Sequence, residues 1–154
     1  MARKFPLDAV LRLRKMEEQS KMKEFASFER VRARETEQLH SLERHLDAAR
    51  TDLSERIVGE GLPSQKAQMY LAFFGAQTSR IRYQQDLLRK VEAEVRRKRV
   101  EMAMSIARRK IYDRLKERFL EAVERELNRR EGLRVDDIVS VRFFARTKGR
   151  PAGA

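Results

Sequence analysis

Apolar side chains recur at helical spacing along almost the whole chain, and the recurrence is interrupted once. Val10, Leu11, Leu13 and Met16 open a first stripe and Phe25 and Phe28 continue it. Leu39, Leu42, Leu46, Ala49, Leu53 and Ile57 then carry it on in alternating steps of three and four, the mark of an a/d seam. A second stripe runs through Ile81, Leu88, Val91, Val95, Met102, Ile106, Ile111, Leu115, Phe119, Val123 and Leu127, with longer gaps at Gln84 and Lys98. Between the two lies Val58-Gly59-Glu60-Gly61-Leu62-Pro63. Gly59 and Gly61 can take the positive φ that ends a helix, Pro63 cannot continue one, and Ser64 sits where an N-cap would satisfy the first free amides of the next. The pattern predicts a helix over about residues 7–57, a turn at 58–63 and a second helix over about 65–131, about 76 Å and about 100 Å long.

Local features refine this outline. Phe5-Pro6-Leu7-Asp8 reads as a helix entry, with proline welcome at the first helical position and Asp8 facing the positive end of the dipole. Glu29 to Gln38 offers Val31 and Ala33 as its apolar residues, so that section is expected to be the loosest. Met69, Tyr70, Leu71, Phe73 and Phe74 are apolar on two helical faces; they either plug the turn around Leu62 or stay exposed as a docking patch. Gly75 behind them is either tolerated or allows another backbone to approach. If the chain reverses at 58–63, Leu53 faces about Gln68 and Leu7 faces about Leu115. Residues 116–131, with Phe119, Leu120, Val123 and Leu127, then overhang, which implies a partner, self-association or a fold-back. Gly132 is expected to stop the helix. Leu133 to Phe144 is rich in β-branched residues and reads as a short strand or a segment that orders on binding, and the basic end from Ala145 reads as disordered.

Composition agrees with long helix. With 39% charged and 7% aromatic residues, the chain covers a seam more easily than it fills a globule. The expected fold is therefore all-α: one domain over residues 1–154, a long antiparallel two-helix coiled-coil hairpin. There is no cysteine, hence no disulfide and no thiolate metal site. No apolar run approaches the roughly 20 residues of a membrane span, and Met1 to Phe5 lacks a signal-peptide core, so a cytoplasmic protein is the simplest expectation. His40 and His45 are five apart, the wrong spacing for a metal pair on one helix face. Phosphate-cradling and nucleophile-elbow motifs are missing, and an extended hairpin offers no pocket for pKa tuning. The reading is of a protein that is no enzyme and takes no cofactor, metal or small-molecule substrate.

The net charge of +12 has three readings: an acidic protein partner, nucleic acid, or plain solubility. Acidic and basic residues interleave, as in Glu92, Glu94, Arg96, Arg97, Lys98, Arg99 and Glu101, which favours an acidic protein surface over nucleic acid. The basic runs Arg96 to Arg99 and Arg108 to Lys110 also lack the interleaved aromatics that single-strand binding uses.

Taken in order, Phe5-x-Leu7, Gln38-Leu39-x-x-Leu42, the glycine-containing turn, Tyr70-x-x-Phe73, the arginine-rich second helix and Asp136-Asp137-Ile138-x-x-x-Arg142-Phe143 resemble the flagellar export protein family FliJ over nearly the whole chain. The resemblance implies a component of the flagellar type III export apparatus, at the cytoplasmic side of the cell membrane. It implies a coiled coil similar to the gamma-subunit stalk of the rotary F-type ATPase. Members bind the hexameric export ATPase (FliI-like), promote its ring assembly and couple it to the export gate protein (FlhA-like), and some also handle export chaperones. Carried onto this sequence, the gate-facing residues are Gln38, Leu42, Tyr70 and Phe73; His45 and Ala49 stand where the family has aromatics. For the ATPase, charge and overhang select the end where the termini meet, with Arg12, Arg14, Arg109, Arg114, Lys116 and Arg118 as rim contacts. The open alternatives are an injectisome stalk protein, a nucleic-acid-binding coiled coil, and a structural coiled coil that self-associates through Phe119 to Leu127.

Overall fold

The computed structural model describes residues 4–59 and 61–148. Two long helices, α1 (Asp8–Gly59) and α2 (Ser64–Lys148), pack against each other as an antiparallel hairpin, and no strand occurs among the described residues. The periodicity therefore named the all-α architecture correctly. No helix among the described residues is long and apolar enough to cross a membrane.

The helix ends follow from local chemistry. Leu7 O accepts the first α1 bond, from Leu11 N at 2.9 Å, so Pro6 falls just outside the helix while Asp8 lies in its first turn. Arg56 occupies the last turn of α1, where a cation meets the negative end of the dipole. Gly61 takes φ +72° in the turn, a conformation costly for any residue with a Cβ, whereas Gly59 remains the last residue of α1. The first α2 bond runs from Ala67 N to Pro63 O at 3.1 Å, which puts Pro63, one residue earlier than expected, in the capping place.

At its far end α2 does not stop at Gly132 but continues to Lys148, so the span 133–144 is helix rather than strand. A glycine costs about 1 kcal/mol in a helix yet keeps its N–H in the ladder, and β-branched residues cost less. Proline alone removes the donor, and none occurs between Pro63 and Pro151. Of the end expected to be disordered, residues 145–148 are helix, the last of α2, and residues 149–154 lie outside the described residues. Gly75 has no neighbouring heavy atom within 4 Å of a built Cβ, so it is a tolerated glycine and not a site of close backbone approach.

Packing divides the chain into two compact units, residues 16–106 and residues 1–15 with 107–154. In the first, the α1 seam contains Glu18, Lys21, Phe25, Phe28, Glu35, Leu39, Leu42, Leu46, Ala49 and Leu53, all buried or half-buried. On α2 the series Ala67, Tyr70, Phe74, Gln77, Ile81, Gln84, Leu88, Val91, Val95, Lys98, Met102 and Ser105 alternates threes and fours without a break. Polar residues fill the gaps that the apolar pattern left at Gln84 and Lys98. The section expected to be loosest holds a buried pair instead: Gln84 Nε2 donates to Glu35 O at 3.0 Å and to Glu35 Oε2 at 2.8 Å. Met16 and Ile57, placed in the seam by the sequence pattern, are exposed.

About three to four helical turns from this pair, in the same unit, stands a four-member charge cluster. Lys98 Nζ donates to Glu24 at 2.8 Å and to Glu101 at 3.2 Å, Lys21 Nζ donates to Glu101 at 3.0 Å and to Glu24 at 3.4 Å, and Lys98 lies 5.9 Å from the Phe28 ring centre. The cross-helix hydrogen bonds hold both carboxyls below, and both ammonium groups above, their ordinary values.

In the other unit, Leu11 is buried and the Phe5 ring meets Phe119 at 5.5 Å with a 54° tilt. Lys116 Nζ bonds Asp8 at 2.8 Å, and Arg14 lies over Tyr112 at 5.8 Å. Leu13, Ile111 and Leu115 lie outside the seam, where Arg14, Tyr112 and Lys116 take its positions. Phe119 and Val123 are thus covered in part, contrary to the expected overhang from residue 116, and continuous exposure begins at Leu127.

Acid should loosen this hairpin in a defined window. Asp8, Glu24, Asp52 and Glu101 are all held below their ordinary values, and Glu126, bonded by Arg129 and Arg130, falls from 4.5 to about 2. A depressed folded-state pKa gives stabilisation that is complete above the unfolded value and disappears as pH falls through the folded one. Far-UV circular dichroism should therefore show helicity falling from pH 4.5 toward about 2. In strong alkali the raised Lys21 and Lys98 should weaken it again above 10.5.

Candidate functional site

The surface beside the turn includes one small seam residue. Between Leu46 and Leu53, Ala49 presents a methyl group where its seam neighbours present isobutyl groups. Beside it runs a groove of about 500 Å³ lined by Ala49, Arg56, Lys66, Met69, Tyr70 and Phe73. The four α2 residues follow i, i+3, i+4 and i+7 spacing and so share one helical face. Tyr70 and Phe74 pack as a tilted pair at 6.1 Å within the seam, leaving Met69 and Phe73 toward solvent. Of the two readings of the aromatic cluster, the exposed patch thus describes Met69, Leu71 and Phe73, while Tyr70 and Phe74 are packed.

A polar clasp borders the groove. The Tyr70 hydroxyl donates to Asp52, and Arg56 Nε donates to the same carboxylate at 3.0 Å. The Tyr70 bond first, then Arg56, holds the Asp52 carboxyl below its ordinary range, and the Asp52 bond with burial pushes the Tyr70 phenol up. A second cleft of about 450 Å³, lined by Arg56, Gly61, Leu62, Pro63 and Lys66, adjoins the groove through Arg56 and Lys66.

The structure separates the four residues suggested for gate contact. Tyr70 and Phe73 line the groove; Leu42 is half-buried in the seam two turns before Ala49, and Gln38 is exposed a further turn back. Asp52, Arg56 and Lys66 were not anticipated. The shared-face spacing of Lys66 with Tyr70 and Phe73 was the available signal, whereas Asp52 is recognised only through its partner across the hairpin.

The six cations suggested for ATPase contact all lie in the unit that carries the termini, and the structure sorts them. Arg12 Nε is 3.5 Å from Asp8, Lys116 bonds the same carboxylate, Arg109 bonds Asp113 and Arg14 stacks on Tyr112. Arg114 and Arg118, four apart on α2, are exposed and carry no ion pair among the described residues. Four of the six therefore hold intramolecular partners, and two present their charge outward. His40 and His45 are exposed, and no group of three or more metal-ligating side chains occurs among the described residues.

A two-helix hairpin with a polar seam has many unrelated owners, so architecture alone decides nothing. Comparison does: the flagellar FliJ protein family matches residues 3–148 of the 154. The chain belongs to the flagellar FliJ family. This membership makes it a component of the flagellar export apparatus, with a role in flagellar biogenesis and protein export. The match covers both helices and hence both surfaces of this FliJ-family chain. No curated protein and no solved structure matches it.

Proposed function

We propose that this FliJ-family chain is a non-enzymatic stalk of the export apparatus, cytoplasmic and peripheral to the membrane. In this reading it binds the hexameric FliI-like export ATPase, promotes ring assembly and links the ring to the FlhA-like export gate, with export chaperones as further partners. The observation that carries the reading is the division of surfaces between the two units. Residues 1–15 with 107–154 hold the outward cations Arg114 and Arg118, suited to acidic loops of a ring. Residues 16–106 hold the Tyr70–Phe73 groove, suited to an apolar anchor. The polar contacts at the cationic end also suit a part that must shift against changing ring conformations, because deep apolar plugs would hold one state.

The test is the hydrolysis rate of the cognate export ATPase at low enzyme concentration, with and without the chain, alongside mass photometry. Stimulation together with hexamers is the expected result. A chain that is helical by circular dichroism and changes neither rate nor assembly would overturn the proposal.

A further inference from the structure

We propose that the groove beside the turn is a two-part receptor for an acidic peptide segment of a partner protein, one in which an aliphatic or aromatic side chain is followed closely by a carboxylate. The inference deepens the gate-contact reading and rests on it only for the identity of the partner.

Two adjoining concavities of different character carry the argument. The first has an apolar floor of Ala49, Met69 and Phe73, with the Tyr70 ring behind them, and Met69 is 68% exposed. An unbranched thioether can adapt to an anchor of varying shape. The second is predominantly polar and touches the first through Arg56 and Lys66. A ligand whose side chain fills the first is thus led past two cations into the second.

The sign of the ligand follows from pairing. Asp52 is already bonded by the Tyr70 hydroxyl and by Arg56. Lys66 is exposed and has no partner among the described residues. The first turn of α2 holds no acidic residue to offset it. A carboxylate arriving here gains a charge-assisted bond, while a lysine meets repulsion.

The experiment uses the full chain and a fluorescein-labelled peptide with a Leu-Phe-Glu-Asp core, followed by fluorescence anisotropy. A matched peptide carrying Lys-Lys in place of Glu-Asp is the control. The acidic peptide should bind, and added salt should weaken it. Lys66→Glu should weaken binding about tenfold or more, as reversal of a close charge does. Ala49→Leu should weaken binding while leaving the helix content intact, because the larger side chain intrudes on the groove where the anchor would sit. That variant separates loss of the groove from loss of the fold. Equal affinity for the lysine peptide, or unchanged affinity in either variant, would overturn the proposal. So would dimerisation of the chain that both variants abolish, since the occupant would then be a second copy.

Capture of the cognate gate's cytoplasmic domain by the same variants keeps the two readings apart. Gate binding that survives both substitutions removes the gate as the groove's occupant and leaves the gate reading on Gln38 and Leu42. Peptide binding that behaves as described, with no gate capture by the parent chain, upholds the receptor and removes the gate as its partner.

Discussion

Replacing Gln84 with leucine lowers the thermal midpoint of the chain, and adding Glu35→Leu raises it above that of the parent. Gln84 is 3% exposed and Glu35 9%, and the Gln84 amide makes two hydrogen bonds, to the Glu35 carbonyl and carboxylate. The single change leaves a buried carboxylate whose remaining cation, Arg34, approaches its edge at 3.4 Å. Leaving such a group unsatisfied costs about 1–3 kcal/mol, more if it stays charged. For a chain of this size each kcal/mol moves the midpoint by about 2–4 °C. The double change removes the unsatisfied group and sets two apolar side chains at seam positions, where replacing a buried polar pair is often neutral or stabilising. Thermal melts followed by circular dichroism decide it. A double variant that melts below the single one would show that the pair stabilises the seam beyond what apolar packing offers. If the pair instead serves to fix register, the double variant melts higher yet less cooperatively, since a leucine-rich seam accepts alternative alignments that a buried polar residue excludes.

The same pair shows what could be read in advance. Helical spacing alone gave the two helices, because a 3.6-residue period survives interruption by polar residues on the same face. Gly61 and Pro63 gave the turn for local reasons of opposite kind: glycine admits the positive φ of the reversal, and proline lacks the N–H that would continue α1. Reading the seam by its apolar members missed Glu35, Gln84, Lys98 and Lys116. Long polar side chains can lay aliphatic stems along a seam and turn their heads to partners, and those partners are distant in sequence. Lys116 and Asp8 are 108 residues apart, so no local pattern could show that this cation is already engaged. The groove was hidden for a different reason. It is lined from both helices, Ala49 and Arg56 on one and Lys66, Met69, Tyr70 and Phe73 on the other, and such a concavity becomes visible only when the facing helix is in place. The continuation through Gly132 was misjudged because a propensity penalty was treated as a stop, although no hydrogen-bond donor is lost there.

Reversing the two outward cations, Arg114→Glu with Arg118→Glu, should remove most of the stimulation of the export ATPase. Both side chains lie on one face of α2, one helical turn apart, and neither holds an ion pair among the described residues. Substitution therefore changes the field that the unit presents without dismantling a contact inside it. Arg12 and Lys116 would be poorer probes, because both engage Asp8 and their loss would confound binding with folding. Replacing attraction by repulsion at two adjacent positions is expected to shift the half-maximal concentration for stimulation by roughly tenfold or more, acting largely through the association rate. Raising the ionic strength should move the parent chain toward the variant, since these are exposed charges that salt screens. Arg89→Glu supplies a control of half that charge change, at one exposed arginine outside this unit, paired with Asp86. Stimulation that survives the double reversal, or that is lost equally in the Arg89 variant, would dismiss the cationic end as the ring-facing surface. Loss confined to the Arg114 and Arg118 variant, with melting unchanged, would assign the contact to these two side chains, because neither holds an ion pair among the described residues.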